Sequence, residues 1–320
     1  MRLSRTVVLV FLLLSLLVPA GLALAAPQPL DMKTDLNQDG IPDAFAEAVD
    51  EVARAKDKQA AIQALAARMP YQRETYALQK EAQALNRKLA SARTSEEAER
   101  ILARLRALRT QMEKDPVYSA TLRALEKLYI QKGYLPQPAS RTGIQAVNWS
   151  ALQPGDVMMI RSGKLPWMSF VYAMWYTHTG NYHGSSLVYE SNPDGVRLKP
   201  LSDWQQSGQY VGLARNNRKT ASQVQGALAW AENRYGTDGR TPYNYWFPDK
   251  TTDSKLYCSQ LTWKIHGYLG VDLDSNAWQY HLWLSLMWGP WVIPAVAYPA
   301  VAPDEVSYDS DLTIYSESWN

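Results

Sequence analysis

The sequence contains one cysteine, Cys258, and a thiol can act as a nucleophile. The surrounding residues, Tyr257-Cys258-Ser259-Gln260-Leu261, open a predicted helix that runs to Leu269 and ends at Gly270. A helix N-terminus stabilises a thiolate through its dipole and its unpaired N–H groups, which can also bind the oxyanion of an acyl transfer. A buried, inert thiol is the alternative, but the polar flanking residues favour a nucleophile.

A thiolate nucleophile needs a general base within hydrogen-bond reach and a third group that orients the base. Of the four histidines, His266 lies on the same helix as Cys258, about 12 Å away by helical rise, and is too distant. His281 lies among tryptophans, and we expect a packing role for it. His178 and His183 lie in a predicted β-hairpin and remain candidates, with His178 ranked first.

The hairpin also offers an acid that can orient the histidine. A three-residue loop centred on Gly184 would pair His178 with Glu190 across the two strands, with the Cβ atoms about 5 Å apart. A two-residue loop would pair position 178 with position 191 and turn Glu190 to the other face. We predict the first arrangement, with Asn192 as the alternative orienting group.

Other chemistries find little support. The P-loop, zinc-protease and nucleophile-elbow motifs are absent, and one cysteine excludes two-cysteine zinc sites. Five positions near the N-terminus do have the spacing of calcium-loop ligands, with Gly40 at position 6: Asp35, Asn37, Asp39, Ile41 and Asp43. Position 12 is Ala46 instead of glutamate, and a polar turn that caps the first helix is the alternative. We therefore predict at most a structural calcium ion, and no cofactor for catalysis.

The N-terminus has the pattern of a secretory signal peptide. Arg2 and Arg5 precede an apolar run over residues 7–18, and small residues follow up to Ala26. Cleavage after residue 26 removes two positive charges, so the formal net charge falls from +2 to zero and nucleic acid is not an expected partner. We predict a secreted or periplasmic protein, in which an unpaired thiol risks oxidation unless it is needed.

With 320 residues, 46% of them hydrophobic, the chain is long enough for about two folded domains. Residues 27–43 form the calcium-loop-like segment. Residues 44–140 are rich in helix-forming residues and are predicted to form a helical hairpin or bundle, with the last helix ending at Gly133. Two narrow, coiled-coil-like stripes define the hairpin: Leu78, Ala82, Leu85 and Leu89, and Ile101, Leu105, Leu108 and Met112. The first helix is expected to run from Asp43 toward Met69 and stop at Pro70.

Residues 141–320 contain all twelve tryptophans and all four histidines. Strands are predicted over 157–160, 176–182, 187–191, 196–198 and 210–215, and helices over 221–235 and 258–269. These elements occur in separate blocks, which favours an α+β domain. Residues 278–302 are dense in Trp, Leu, Val and Pro. This segment either contacts acyl chains or a membrane surface, or forms a long loop that covers the core and lines the cleft.

Together, these motifs resemble a known family. Leu152-Gln153-Pro154-Gly155-Asp156 precedes a strand, Thr177-His178-Thr179-Gly180 opens the hairpin, Pro242-Tyr243-Asn244 follows, and the Cys258 helix ends at Gly270-Val271-Asp272-Leu273. The order, with the histidine strand before the cysteine helix, is similar to that of the permuted papain-like cysteine amidases of the NlpC superfamily, the YiiX/YaeF-like group. The resemblance covers residues 145–312.

The resemblance implies a permuted papain-like domain in which Cys258, His178 and Glu190 are catalytic. Tyr257 and Tyr243 are candidates for the oxyanion site or the cleft. The function this predicts is an exported thiol amidase or peptidase whose leading substrate is a cell-wall peptide. One alternative is a lipid or thioester acyltransferase or hydrolase on the same fold. Another is a non-catalytic binding module that uses the helical region.

Overall fold

A computed structural model describes residues 27–92, 94–135, 146–161 and 171–319. Within these ranges, five helices come first, and a six-stranded antiparallel sheet with further helices follows. The arrangement confirms the predicted α+β fold with a helical N-terminal region. The predicted signal peptide, residues 1–26, lies outside the described residues.

The N-terminal helices are α1 (Asp43–Arg54), α2 (Lys58–Ala67), α3 (Arg73–Ala90), α4 (Ser95–Met112) and α5 (Pro116–Gln131). Helices α3 and α4 form the predicted hairpin and pack against each other along the two apolar stripes. Leu89 from the first stripe and Leu105 from the second are both buried. Thr94 caps α4, because its hydroxyl accepts the N–H of Glu97 at 3.1 Å.

The prediction of one continuous helix up to Met69 is wrong. Helix α1 stops at Arg54, where Ala55 turns to an extended conformation, and α2 begins three residues later. The carboxylate of Asp57 accepts the N–H of Ala60 at 2.9 Å, which caps the start of α2. The cap at Asp57 therefore starts a second helix within a stretch whose apolar periodicity predicted one helix.

The strands are β1 (Val157–Arg161), β2 (His178–Gly184), β3 (Leu187–Asn192), β4 (Gly195–Pro200), β5 (Tyr210–Asn216) and β6 (Leu312–Trp319). They lie in the order β4-β3-β2-β1-β5-β6, and every pairing is antiparallel. The hairpin strands β2 and β3 lie inside the sheet, where both edges of each are paired. Two neighbouring interior strands thus hold His178, His183 and Glu190.

The two faces of the sheet bury different residues. Helices α6 (Ala221–Tyr235) and α7 (Cys258–Gly267) cover one face, where Tyr189 packs with Leu261 and Ile265. On the other face, Val188 packs with Trp204, which follows a short 3₁₀ turn over Leu201–Asp203. Because side chains alternate along a strand, Glu190 shares a face with Val188 and points away from α7.

The tryptophan-rich segment forms helix α8 (Trp278–Trp288) and a π-helical turn (Ile293–Ala297), and not the long loop considered from the sequence. Nine consecutive residues, from Tyr280 to Trp288, are buried, as is most of the π-helical turn. Most of its apolar side chains therefore fill the core, and contact of this segment with a lipid or membrane surface stays a prediction. Among the described residues, no helix is long and apolar enough to cross a bilayer.

The helical N-terminal region packs directly on α8. The hydroxyl of Tyr71 donates to the carbonyl of Leu286 at 3.2 Å, and the side chain of Gln79 donates to the carbonyl of Met287 at 3.2 Å. Residues of α1 to α5 and of α8 belong to the same hydrophobic cluster. The N-terminal helices thus contribute to the core under the second half of the chain.

The C-terminal end adds helix α9 (Pro303–Ser307) and edge strand β6, neither of which is predicted by the sequence patterns. Asp304 of α9 is fully buried, and its carboxylate accepts the N–H groups of Met174, Trp175 and Tyr176 at 2.8 to 2.9 Å. Burial raises the pKa of Asp304 to about 6, against the effect of these three bonds. The bonds fix the chain immediately before His178.

Candidate active site

Cys258 is the first residue of α7 and is 6% exposed. Burial alone would raise the pKa of its thiol. The charge of His178 and hydrogen bonds from His178 and from the N–H groups of Thr179 and Ser259 outweigh burial, so the pKa lies below its ordinary value. The arrangement favours a thiolate at the positive end of the helix.

His178 begins strand β2 and lies between Cys258 and Glu190. Its Nε2 lies 3.1 Å from Oε2 of Glu190, which leaves Nδ1 for the contact with the thiol. Burial works against the charged imidazole, but the charges of Cys258 and Glu190 and the bonds to both raise the pKa of His178 to about 10. The three groups therefore form a hydrogen-bonded line in which the imidazolium and thiolate forms support each other.

The strand pairing that brings Glu190 to His178 differs from the predicted pairing. Gly184 pairs with Leu187 around a two-residue turn, Ser185 and Ser186, both with positive φ. One step further, Tyr182 pairs with Val188, so His183 is an extra, bulged residue. The direct pairing of 178 with 190 is thus wrong.

The bulge explains why Glu190 nevertheless reaches His178. The observed register continues from Asn181 paired with Tyr189, and it places Glu190 opposite Gly180. His178 is two residues away on the same face, within reach of a diagonal side-chain contact. Without the bulge, Glu190 would lie opposite Asn181 and face α7, because a slip of one residue reverses every side chain.

Three side chains surround the carboxylate of Glu190. Asn192 donates to Oε1 at 2.8 Å, and the indole of Trp204 donates to Oε2 at 2.9 Å, the same oxygen that contacts His178. Burial would raise the pKa of Glu190, but His178, Asn192 and Trp204 lower it. Asn192, considered as a direct partner of the imidazole, instead holds Glu190. Trp204 was not found from the sequence, because its only signal is one tryptophan in a polar loop.

The two tyrosine candidates have different environments. The hydroxyl of Tyr243 hydrogen-bonds to the thiol of Cys258, while burial raises the pKa of this tyrosine well above its ordinary value. Tyr243 is therefore a neutral O–H donor beside the sulfur. The hydroxyl of Tyr257 accepts the N–H of Val301 at 3.0 Å and is occupied by the fold.

The remaining histidines lie elsewhere. His183, at the bulge, contacts Glu232 at 2.8 Å, and His281 lies 3.4 Å from Glu305. His266 is buried between the amides of Asn216 and Asn181, at 2.9 and 3.4 Å. Burial lowers the pKa of His266 to about 4, so it stays neutral.

An apolar cleft with a volume of about 60 Å³ leads away from Cys258. None of its described lining residues is an Asp, Glu, Lys, Arg or His: Tyr172, Ala173, Tyr176, Thr177, Tyr243, Phe247, Tyr257, Cys258, Ser259, Tyr280, Val296, Ala300, Val301, Ala302 and Pro303. Val296 and residues 300–302 thus line the wall of the cleft, as one of the two interpretations of this segment expected.

Most polar groups around the cleft are bonded to the protein. The hydroxyl of Tyr172 donates to Asn86 at 2.8 Å, and that of Tyr280 donates to the carbonyl of Tyr172 at 2.9 Å. Tyr176 hydrogen-bonds to Glu317, and Ser259 donates to the carbonyl of Val301 at 2.7 Å. The walls therefore present mainly carbon atoms to a ligand.

The calcium-loop-like segment closes on itself. Asp35 accepts the N–H of Gly40 at 2.8 Å, Asp39 accepts that of Ile41 at 2.9 Å, and Asp43 accepts that of Leu36 at 3.0 Å. Within the described ranges, no three His, Cys, Asp or Glu side chains are grouped in a way that could hold a metal ion. The geometry fits the alternative of a polar turn, and calcium binding stays a prediction.

A nucleophilic thiol at a helix start, a histidine in contact with it and a buried acid behind the histidine define a cysteine hydrolase of the papain-like class. The family model of the permuted papain-like amidase enzymes, the YaeF/YiiX or C92 family, matches residues 151–313. The chain belongs to this family, and it is therefore a member of an enzyme family and not only a binding module. The match leaves the helical region outside.

Among solved structures, the chain is similar to one described as the crystal structure of metalloprotein yiiX from Escherichia coli O157:H7. The two sequences are 22% identical, the match covers 52% of this chain and 98% of the other, and the TM-score is 0.38. A search of the curated proteins found no significant match.

Proposed function

We propose that this protein hydrolyses an amide or ester bond through an acyl-enzyme formed on Cys258. The observation that carries the proposal is the buried line of Cys258, His178 and Glu190, in which the thiol has a lowered pKa and the imidazole a raised one. In a pair of this kind, the imidazolium favours the thiolate, the nucleophilic form of cysteine, before substrate binds.

In the first step, the thiolate sulfur of Cys258 bonds to the substrate carbonyl carbon. The imidazolium of His178 gives its proton to the leaving nitrogen or oxygen as the old bond breaks. Water then attacks the thioester, His178 takes a proton from that water, and the acid product leaves as the thiolate re-forms. Glu190 holds the imidazole and stabilises its charged form throughout.

Tyr243 is proposed as a donor to the oxyanion of the tetrahedral intermediates. Its hydroxyl is beside the sulfur, and its high pKa keeps the proton on the oxygen. The N–H of Cys258, at the start of α7, is the second proposed donor. Tyr257 has a structural role in this proposal, since its hydroxyl already bonds to Val301.

The test is selective chemistry at Cys258. Iodoacetamide should label the native wild-type protein at neutral pH, and Cys258→Ala should abolish both the labelling and the hydrolysis of a p-nitrophenyl ester. If the native thiol resists labelling and titrates near the free value of about 8.5, the proposal loses its basis.

The first candidate substrate is a cell-wall peptide, which is supported by the predicted export of the chain and by the amidase family. Incubation with purified peptidoglycan should release new peptide ends that are visible by mass spectrometry. Cys258→Ala is the matched control.

The second candidate is an amide, ester or thioester with an apolar acyl group, and the cleft favours it. The described lining residues offer no charge to pair with the carboxylates of a cell-wall peptide, whereas their carbon surfaces suit an acyl chain. For acetyl, butyryl and hexanoyl p-nitrophenyl esters, each buried methylene should raise kcat/KM about fourfold, from about 0.8 kcal/mol per group. Ala300→Phe should remove this gain but keep acetyl ester hydrolysis.

We further propose that the enzyme acts outside the cytoplasm, as the pattern of residues 1–26 indicates. Expression of the full chain with a C-terminal tag, followed by fractionation and N-terminal sequencing, should find a mature form that starts after Ala25 or Ala26. Recovery of the intact chain in the cytoplasm alone would contradict export.

A further inference from the structure

Trp204 occupies a position that the proposed acyl transfer does not yet use. It is 3% exposed, and its ring centroid lies 5.2 Å from that of His178 with an angle of 33° between the rings. Its indole N–H donates to Oε2 of Glu190, the oxygen that also contacts Nε2 of His178. One rigid side chain thus touches both the imidazole and the acid behind it.

The chemistry of indole limits what this contact can do. The Trp N–H only donates, so Oε2 of Glu190 must accept from it. A carboxylate oxygen that accepts from both Trp204 and His178 is favoured in its ionised form. Nε2 of His178 then carries the proton, and Nδ1 faces Cys258.

A second observation shows that the backbone accommodates the indole. A Cβ atom on Gly180 would lie 2.9 Å from Cζ2 of Trp204 and 2.8 Å from Cγ1 of Val188, closer than side chains approach. The glycine between His178 and the turn therefore leaves the space that Trp204 fills.

We propose that Trp204 is a positioning residue for the catalytic pair, which fixes the ionised Glu190 by its indole N–H and holds the His178 ring by a tilted contact between the two rings. This rests on the proposed cysteine hydrolase function and extends it to a residue that does not touch the substrate. The competing view is that Trp204 only fills the core, where it packs with Met158, Ile160 and Val188.

Trp204→Phe separates the positioning role from the core-filling role, because phenylalanine keeps an aromatic ring in the core and loses the N–H that bonds to Glu190. Trp230→Phe is the matched control: Trp230 is partly buried in α6 and stacks on Tyr268, away from Glu190. Circular dichroism and the Tm should show that both variants fold.

The decisive readout is the pH profile of kcat/KM. The N–H bond is one of the contacts that lower the pKa of Glu190, so its loss lets Glu190 take up a proton at higher pH. A protonated Glu190 no longer stabilises the imidazolium. The other ionisable groups that face this site are Cys258 and Tyr243 on one side, and Asp194, Lys199 and Asp203 around the cavity beside Glu190. All five are unchanged in Trp204→Phe.

We expect Trp204→Phe to lower kcat about tenfold and to change KM by less than about twofold. The tenfold change corresponds to about 1.4 kcal/mol in activation free energy. The acid limb of the profile should move up by about half to one pH unit, and Trp230→Phe should match the wild type. In a Glu190→Gln background, the further loss from Trp204→Phe should be less than about threefold, since the charge it acts through is gone.

The proposal is overturned if Trp204→Phe retains the wild-type pH profile, whether or not its rate or Tm falls, because a core-filling role predicts that result. It is also overturned if the losses from Trp204→Phe and Glu190→Gln simply add. The rate of Cys258 alkylation against pH provides the same comparison without turnover. If Cys258→Ala keeps full hydrolysis, the hydrolase proposal fails by itself, and the alkylation profile still decides whether Trp204 acts on the pair.

Discussion

Helix α7 has a buried histidine near each end: His178 contacts its first residue, and His266 is part of its last turn, and their pKa values shift in opposite directions. At its start, Cys258 meets His178, whose pKa is raised to about 10. Near its end is His266, whose pKa is lowered to about 4. Both rings are fully buried, and burial alone lowers the pKa of each.

The difference comes from the partners. His178 lies between two groups that can be anionic, Cys258 and Glu190, whereas His266 lies between the neutral amides of Asn181 and Asn216. The C-terminal end of a helix favours a cation by at most about 2 kcal/mol. At His266, burial outweighs any such effect. Burial beside neutral partners thus lowers the pKa of a histidine and keeps it neutral. Burial beside anionic partners raises the pKa and favours the reactive imidazolium.

The largest expected effect separates the two histidines directly. His178→Ala should lower kcat/KM at least about 1,000-fold, because the proton donor and the thiolate partner are both lost. His266→Leu should keep kcat/KM within about threefold. Steady-state kinetics on a p-nitrophenyl ester measures both, with Tm as a check on folding. Equal losses in the two variants would remove the distinction.

Glu190→Gln tests whether charge sustains the raised pKa of His178. The amide keeps the shape of the side chain but loses the negative charge, and the expected loss in kcat is about 100-fold to 10,000-fold. The iodoacetamide rate at pH 6 should fall in parallel, because less thiolate is present. An unchanged alkylation rate would mean that Glu190 does not support the pair.

Tyr243 and Tyr257, the two tyrosines near Cys258, provide a second contrast between a reactive and a structural residue. Tyr243→Phe should lower kcat by about 10-fold to 100-fold through the loss of an oxyanion donor. Tyr257→Phe should mainly cost stability, about 1 kcal/mol, since its hydroxyl bonds to Val301. Kinetics and urea unfolding of both variants measure the contrast, and the reverse order of effects would exchange their roles.

The alkaline limb of the pH–rate profile reports the raised pKa of His178. The reaction needs the imidazolium as proton donor, so kcat/KM should stay high through pH 8 and be half-maximal near pH 10. His266→Leu should have the same limb. A fall near pH 6.5 would show that His178 titrates as an ordinary histidine.

The smallest effect is on stability, and its sign follows from the lowered pKa of His266. Between about pH 6.5 and 4, the unfolded chain binds a proton at this residue and the folded chain does not. The stabilising contribution is therefore present above pH 6.5 and is lost as the pH falls toward 4, with a slope of up to about 1.4 kcal/mol per pH unit.

Asp304 acts in the opposite sense over the same range, because its folded pKa is raised to about 6. The measurement is therefore the difference in unfolding free energy between the wild type and His266→Leu at several pH values. The difference should shrink as the pH falls. A difference that does not depend on pH would mean that His266 is not held neutral.

Much of the site could be predicted from local sequence. The polar residues around Cys258 and the helical pattern that follows placed the thiol at the start of a helix, and α7 begins at that residue. The helix over 221–235 has the predicted bounds, because Thr220 and Gly236 mark its two ends. Capping signals act over a few neighbouring residues, so helix ends of this kind can be predicted from the local sequence.

Features that depend on distant contacts could not be predicted in this way. From the sequence alone, the sheet face to which Glu190 points depended on the length of the hairpin loop. In the structure, a bulge at His183 determines that face. The burial of α8 depends on helices that come about 200 residues earlier. An apolar run is compatible with a membrane, a loop or a core, and only its packing partners determine which of these forms.

The sequence by itself thus determined which chemical groups are available: one thiol at a helix start, a histidine on a strand and an acid in the same hairpin. The tertiary structure decided the directions in which their pKa values shift and the groups that contact them: Trp204 and Asn192 at the acid, and Tyr243 at the sulfur. The reason is physical. Local geometry follows from neighbouring residues, whereas the pKa of a buried group depends on every charge and dipole that the fold brings near it.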